Sequence, residues 1–228
     1  MTATVEPTVP KQRDKPRTGR RRGEFGGHVA GTVARLQAGY LAEQPAAVAT
    51  VARLRTAVDR EPGATYAVLD MTGVPDRYLE QSRGDEPTPR ERAKHAAVTL
   101  YATHQQSVHE APMHVDGVSL GEAVHRLTRQ AKDGDPTARR SAVLRRFAAL
   151  GTAATFDQLL YHLRSLVRQL RDERIPLDYG LLAEDLAQFQ NPGGPERVRA
   201  RWGRDFHRID LSDQDNGGTE TVGEELQP

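Results

Sequence analysis

Between residues 25 and 209, large apolar side chains recur at three- and four-residue intervals and strict alternation is absent, which is the pattern of amphipathic helices rather than strands. Helix-start chemistry places the elements. Thr88-Pro89-Arg90-Glu91 joins a capping box to a proline at the first helical position. Ser119-Leu120-Gly121-Glu122 and Thr155-Phe156-Asp157-Gln158 are two more boxes. Asp135-Pro136 and Asp178-Tyr179 read as N-caps, and Pro195 opens a last helix. The spacing predicts helices near 28–43, 46–59, 64–70, 89–107, 120–131, 136–150, 156–173, 179–190 and 195–208, with a short helical turn around 75–81. The expected fold is all-α: about nine helices packed as a multi-helix bundle in two small sub-bundles, an N-terminal helical part over 25–115 and a C-terminal bundle over 116–209. The least regular stretch is 60–88, with Pro62, Pro75 and Pro87, and no repeat of fixed period is present.

Two helices carry a second pattern beside their apolar one. In 156–173, Phe156, Leu159, Leu160, Leu163, Leu166, Val167 and Leu170 fall within an arc of about 120° at 100° per residue, a core face. Arg164, Arg168 and Arg171 line one flank. In 195–208, Val198, Trp202, Phe206 and Ile209 share one face, and Arg197, Arg201, Arg204 and Arg208 share another. Each helix is expected to bury one face and present an arginine row to solvent, where the planar guanidinium suits phosphate. The plainer alternative is that an amphipathic helix needs polar residues outside and arginine is a good helix former. In 136–150, Arg139, Arg140, Arg145 and Arg146 scatter around the axis, so a structural ion pair suits any one of them as well as phosphate does. Helix 89–107 is alanine-rich (Ala93, Ala96, Ala97, Ala102), which permits close helix approach. Its basic start, Arg90, Arg92 and Lys94, opposes the helix dipole and points to another purpose.

Charge changes this picture only when counted by segment. The 228 residues hold 32 Lys plus Arg and 31 Asp plus Glu, a net +1 that argues against a nucleic-acid partner if the charges are evenly mixed. They are not. Residues 1–24 carry seven basic and three acidic residues, 25–125 nine and twelve, 126–209 sixteen and ten, and 210–228 none and six. The segments are therefore +4, −3, +6 and −6. The basic residues are 28 Arg against 4 Lys, a bias that a GC-rich genome explains as well as phosphate binding does. The leader 1–24 and the acidic tail 210–228 bury too little to offset ordering and are expected to be disordered. No apolar run approaches the ~20 residues that span a bilayer, so a soluble, cytoplasmic protein is expected, with no membrane partner.

Catalytic and metal chemistry find little support. With no cysteine, disulfides, thiolate catalysis, zinc fingers and iron–sulfur clusters are excluded. His109-Glu110-Ala111-Pro112-Met113-His114 resembles a zinc-protease motif, but three residues separate Glu110 from His114 where two are needed, and Pro112 breaks the helix. The histidines are expected to be core hydrogen-bonders or caps. Asp172-Glu173 and Glu184-Asp185 read as solvated charges beside arginines. No phosphate-cradling glycine loop and no nucleophile–base–oxyanion set is apparent, so a non-enzyme without cofactor or metal is expected.

A series of short segments points further. Leu100-Tyr101-Ala102-Thr103-His104-Gln105-Gln106-Ser107, Met113-His114 and Gly117-Val118-Ser119-Leu120-Gly121 come first. Ala123-Val124-His125-Arg126-Leu127, Arg145-Arg146-Phe147 and His162-Leu163-Arg164-Ser165-Leu166 follow. Pro176-Leu177-Asp178-Tyr179 and Trp202-Gly203-Arg204-Asp205-Phe206 complete the series. In order and spacing over roughly 28–209 it resembles the CasB family, the small subunit of the Cascade complex in type I-E CRISPR systems. The resemblance implies an all-helical, catalytically inert subunit, present in two copies beside the subunits that carry the crRNA. It implies that the family helps hold the displaced non-target strand of target DNA while a separate nuclease-helicase cleaves. Carried over position by position, the family's basic sites fall on Arg55 (in Arg53-Leu54-Arg55), Arg92, Arg126, Arg146 and Arg164, with Arg201 and Arg204 in the matching C-terminal helix. Together with the row through Arg168 and Arg171, these form the candidate nucleic-acid-binding set. Two alternatives stand beside it. One is a structural adaptor whose arginines make subunit–subunit salt bridges. The other is a helix-turn-helix regulator, which lacks a recognisable recognition helix.

Overall fold

A computed structural model describes residues 20–79, 85–130 and 136–215. Among them nine α-helices follow in order: α1 Glu24–Leu41, α2 Pro45–Thr56, α3 Leu69–Thr72, α4 Pro89–Gln105, α5 Leu120–Arg129, α6 Pro136–Thr152, α7 Phe156–Asp172, α8 Tyr179–Phe189 and α9 Gly194–Asp215. Two 3-10 turns, Tyr66–Val68 and Asp76–Tyr78, flank α3. The one β-type pairing among the described residues is an isolated parallel bridge between His114 and Leu177. The all-α expectation is met. The predicted N-cap at Asp135 lies outside the described residues.

The caps explain why most helices begin where the sequence places them. Thr88 Oγ1 accepts from the Glu91 amide (3.3 Å) while Glu91 Oε2 accepts from the Thr88 amide (2.8 Å), a complete box. Ser119 and Thr155 accept from the Glu122 and Gln158 amides, but the Gln158 side chain turns back to the Ala154 amide instead. Asp178 takes the amides of Gly180 and Leu181 at 2.9 and 3.1 Å. Each such cap stabilises by about 1 kcal/mol.

Two ends differ from expectation for physical reasons. α1 begins at Glu24 because the Glu184 carboxylate, distant in sequence, accepts from the Gly23 and Gly26 amides and serves as its cap. Residues 20–23, assigned by composition to the unstructured leader, are held by that bond and by Arg20 and Arg22. At the other end, α9 passes 208 and stays helical to Asp215, inside the stretch expected to be disordered.

Helix α4 is the centre. Every residue from Ala93 to Gln105 is buried, beneath α1, α2, α7 and α8. Its alanines allow that crowding, as their spacing predicts. α5 lies against α9, α6 and α7. Because α8 packs on both α1 and α4, the later half of the chain supplies a helix to the earlier one, and a single cluster of buried apolar side chains runs from Phe25 to Phe206. Two crossings need glycine. A Cβ on Gly121 would run into the Trp202 carbonyl and come within 2.8 Å of the Phe206 amide nitrogen. One on Gly180 would strike the Gly26 carbonyl.

The basic start of α4 has a structural use. Arg90 Nη1 donates to the Tyr78 carbonyl (2.9 Å), and Lys94 Nζ bonds the Gly73 carbonyl (2.5 Å) and His28 Nε2 (2.9 Å). These bonds fasten the irregular 69–78 segment to the central helix. Burial, with Arg35 nearby, pushes the Lys94 ammonium down to about 8.

Candidate nucleic-acid interface

The candidate arginines divide into those bonded within the chain and those left to solvent. The α8–α9 junction takes the first share. Asp185, expected as a solvated charge, is 1% exposed. It accepts from Arg20 at 2.9 and 2.6 Å, from Trp202 Nε1 at 2.7 Å, and from Arg201. Arg201 also donates to Gln188 (2.5 Å). One row member is thereby turned inward. The correction has a simple cause: three donors from two distant segments converge on Asp185, and their bonds offset its desolvation. Arg22 makes a parallel tie, to Asp116 at 2.8 Å and to the buried Asp178 at 3.5 Å.

The α7 row is also mixed. Arg164 is half-buried, donates to the Val58 carbonyl (2.7 Å) and pairs with Asp59, so it anchors the end of α2 to α7. Arg171 pairs with its neighbour Asp172 (3.1 Å). Arg168 is exposed and holds no carboxylate among the described residues. On α5, Arg126 is paired with the buried Glu122 (2.6 Å). On α6, Arg146 is exposed and donates to the Gln169 amide oxygen, 2.9 Å from each of two nitrogens, while Arg139 pairs with Glu173.

Six candidates remain without a carboxylate among the described residues: Arg53, Arg55, Arg92, Arg146, Arg168 and Arg204. Arg53 reaches only the Thr50 hydroxyl (3.2 Å). Arg92 is half-buried with its Nε shielded from water and unbonded. It lines a groove of about 260 Å³ between the 58–62 turn, α4 and α7, facing Arg60, Arg164 and the carboxylates of Asp59, Glu61 and Asp157. A second groove, of about 470 Å³, brings Arg201 and Arg204 together with Arg208 and with Arg20 of the leader, across from Glu184 and Asp205. Arg20 lies in the leader that composition assigns to a solvated tail, where its run of arginines is able to touch nucleic acid, and the structure instead bonds it to Asp185. The signal for it was the arginine run at 20–22, but nothing local names Asp185 as the partner.

Four histidines, His95, His104, His114 and His125, are buried in the core, and His109 is exposed. His104 Nδ1 lies 2.8 Å from the Tyr179 hydroxyl, His114 Nδ1 accepts from the Tyr179 amide (3.2 Å), and His109 stacks on Tyr40 with ring centroids 4.8 Å apart. Burial pushes His104 down to about 3. No group of three or more metal-ligating side chains forms among the described residues. No helix among them is long and apolar enough to cross a membrane.

The model of the family described as CRISPR-associated protein Cse2 matches residues 50–207. The chain belongs to that family. Among solved structures, the crystal structure of CasB from Thermobifida fusca is 38% identical, with 82% of this chain and 99% of that one covered and a TM-score of 0.65. A chain of a structure described as a CRISPR RNA-guided surveillance complex is 21% identical, covering 84% and 99%, with a TM-score of 0.63. CasB from M. ruber is 20% identical, covering 84% and 98%, with a TM-score of 0.58. These last two share the fold. None of the curated proteins matches. The Cse2 match includes every candidate arginine from Arg53 to Arg204, the internally bonded ones and the free ones alike.

One exposed side chain on the same surface escaped the apolar-arc count. Tyr161 sits on the solvent face of α7, 69% exposed. Its signal in the sequence is a large aromatic three residues before Arg164 and seven before Arg168.

Proposed function

We propose that this Cse2-family chain is a non-catalytic subunit of a crRNA-guided Cascade surveillance complex, and that it holds the displaced non-target strand of target DNA through arginines that lack carboxylate partners. The observation carrying this reading is that the family match over 50–207 coincides with six such arginines, Arg53, Arg55, Arg92, Arg146, Arg168 and Arg204. Its partners are then the other Cascade subunits, the crRNA, target DNA and a second copy of itself. Guide pairing replaces DNA pairing at nearly balanced energy, so a few backbone contacts are enough to favour the open state. Such contacts need phosphate recognition rather than base readout. Arg164 and Arg201 support the surface from within, by tying α7 to the end of α2 and α9 to α8.

The test is charge reversal of Arg55, Arg92 and Arg168 together in the assembled complex. R-loop formation should weaken, and the dependence of binding on log salt should fall by about 1 per lost phosphate contact. Unchanged affinity and unchanged salt slope would refute the reading. If the variant bound DNA normally but failed to join the other subunits, the structural adaptor would take its place.

A further inference from the structure

We infer that Tyr161 is a stacking platform for an unpaired base, which makes the α7 face selective for single strands. The inference rests on the strand-holding function proposed above and adds a specificity-determining residue to it. The starting observation is that Tyr161 is exposed where folding gives no reason for an aromatic. The core side of α7 is complete without it: Leu159, Leu163, Leu166, Val167 and Leu170 are all buried. The Tyr161 ring meets the His162 ring edge-on, centroids 5.4 Å apart and planes at 75°.

The surroundings match a nucleotide chain. The acids of α7 stand only at its two ends, Asp157 one turn before Tyr161 and Asp172 after Arg171, and the stretch from Gln158 to Arg171 between them carries none. Arg164 and Ser165 follow Tyr161 by about one turn and Arg168 by about two, all within about 60° of it around the axis at 100° per residue. Arg168 stands about 10 Å further along the helix at 1.5 Å per residue. It is exposed and holds no carboxylate among the described residues, so its charge is available to a phosphate. Arg164, held by Asp59 and the Val58 carbonyl, keeps a second guanidinium fixed at the flank. An aromatic face beside a cationic track is the arrangement that binds single strands without sequence preference. A duplex keeps its bases stacked on one another and offers the ring nothing to stack on. The ring therefore separates a displaced strand from unopened DNA, which the arginines alone cannot do.

The experiment measures fluorescence anisotropy of the full chain on a mixed-sequence single-stranded oligonucleotide and on the duplex of the same length. The variants are Tyr161→Ala, Tyr161→Phe and Arg168→Glu. Stacking of about 1–3 kcal/mol per base translates into a 5- to 150-fold loss of single-strand affinity for Tyr161→Ala, at roughly unchanged salt slope and unchanged duplex affinity. Tyr161→Phe keeps the ring and should bind as the parent does. Arg168→Glu should weaken both substrates and lower the salt slope. If Arg168→Glu weakens binding and Tyr161→Ala does not, strand holding stands and the stacking platform falls. Equal loss on single strand and duplex also overturns the platform. If neither variant changes binding, both proposals fall. Normal DNA binding with failed assembly of Tyr161→Ala into the complex would reassign the ring to a protein contact.

Discussion

Replacing Asp185 with alanine removes the acceptor shared by Arg20, Arg201 and Trp202 while leaving all three donors in place. The carboxylate is 1% exposed, and removing one partner of a buried, bonded charge pair costs about 3–5 kcal/mol, because the remaining charge is left uncompensated. The unpaired indole N–H would by itself cost about 1–3 kcal/mol, but it belongs to the same network and does not simply add. For a chain of this size that is a fall in Tm of about 6–20 °C. Urea denaturation is the direct assay. Trp202 is the sole tryptophan and is bonded to Asp185 itself, so its emission reports on the junction, and circular dichroism of the same samples reports on the helices. The midpoint should fall with little change in m, and the two probes should coincide. Arg201→Ala should cost less, since Asp185 keeps Arg20 and Trp202. A double-mutant cycle between 185 and 201 should then show strong coupling. A loss below about 1 kcal/mol for Asp185→Ala, or additive single effects, would refute the view that this carboxylate organises the α8–α9 junction.

Glycine positions and protonation give two more expectations. Gly121→Ala should destabilise by about 1–3 kcal/mol because backbone of α9 occupies the space. Gly203→Ala, where a Cβ meets nothing, should stabilise by up to about 1 kcal/mol; thermal melts of the two variants check the contrast in sign. Burial holds His104 at about 3 against its ordinary 6.5, so between those values the unfolded chain binds the extra proton. That contribution is complete above about pH 6.5 and is lost as pH falls toward 3, by about 2 kcal/mol at pH 5 for His104 alone. Buried His95 and His114 shift in the same direction, and equal urea midpoints at pH 7.5 and 5.0 would rule the effect out.

The helices were legible because their information is local. Thr88, Ser119, Thr155 and Asp178 cap by bonding amides two or three residues on, and that reach lies within a sequence window. The apolar faces of α7 and α9 were legible for the same reason. What escaped depends on distance along the chain. The start of α1 needs Glu184, the inward turn of Arg201 needs Asp185 in a different helix, and the burial of Arg164 needs Asp59 and Val58. Helical periodicity finds a row of arginines. It cannot tell which guanidinium has already met a carboxylate, because that carboxylate arrives by tertiary packing. Thus Arg164, Arg168 and Arg171 look equivalent in the sequence, yet of the three Arg168 alone meets no carboxylate among the described residues.

The position of α8 bears on how the molecule is made. A chain emerging from the ribosome presents α1, α2 and α4 first, but the surface shared by α1 and α4 closes only when α8 packs on both. Until about residue 189 has been synthesised, the sides of α1 and α4 that meet α8, around Gly26, Ala30 and Leu100, lack part of their cover, and a nascent chain of that length exposes a sticky apolar face. The Arg20 clasp on Asp185 then forms between the earliest described residue and one of the last helices to appear, so it can only close after most of the protein has been built.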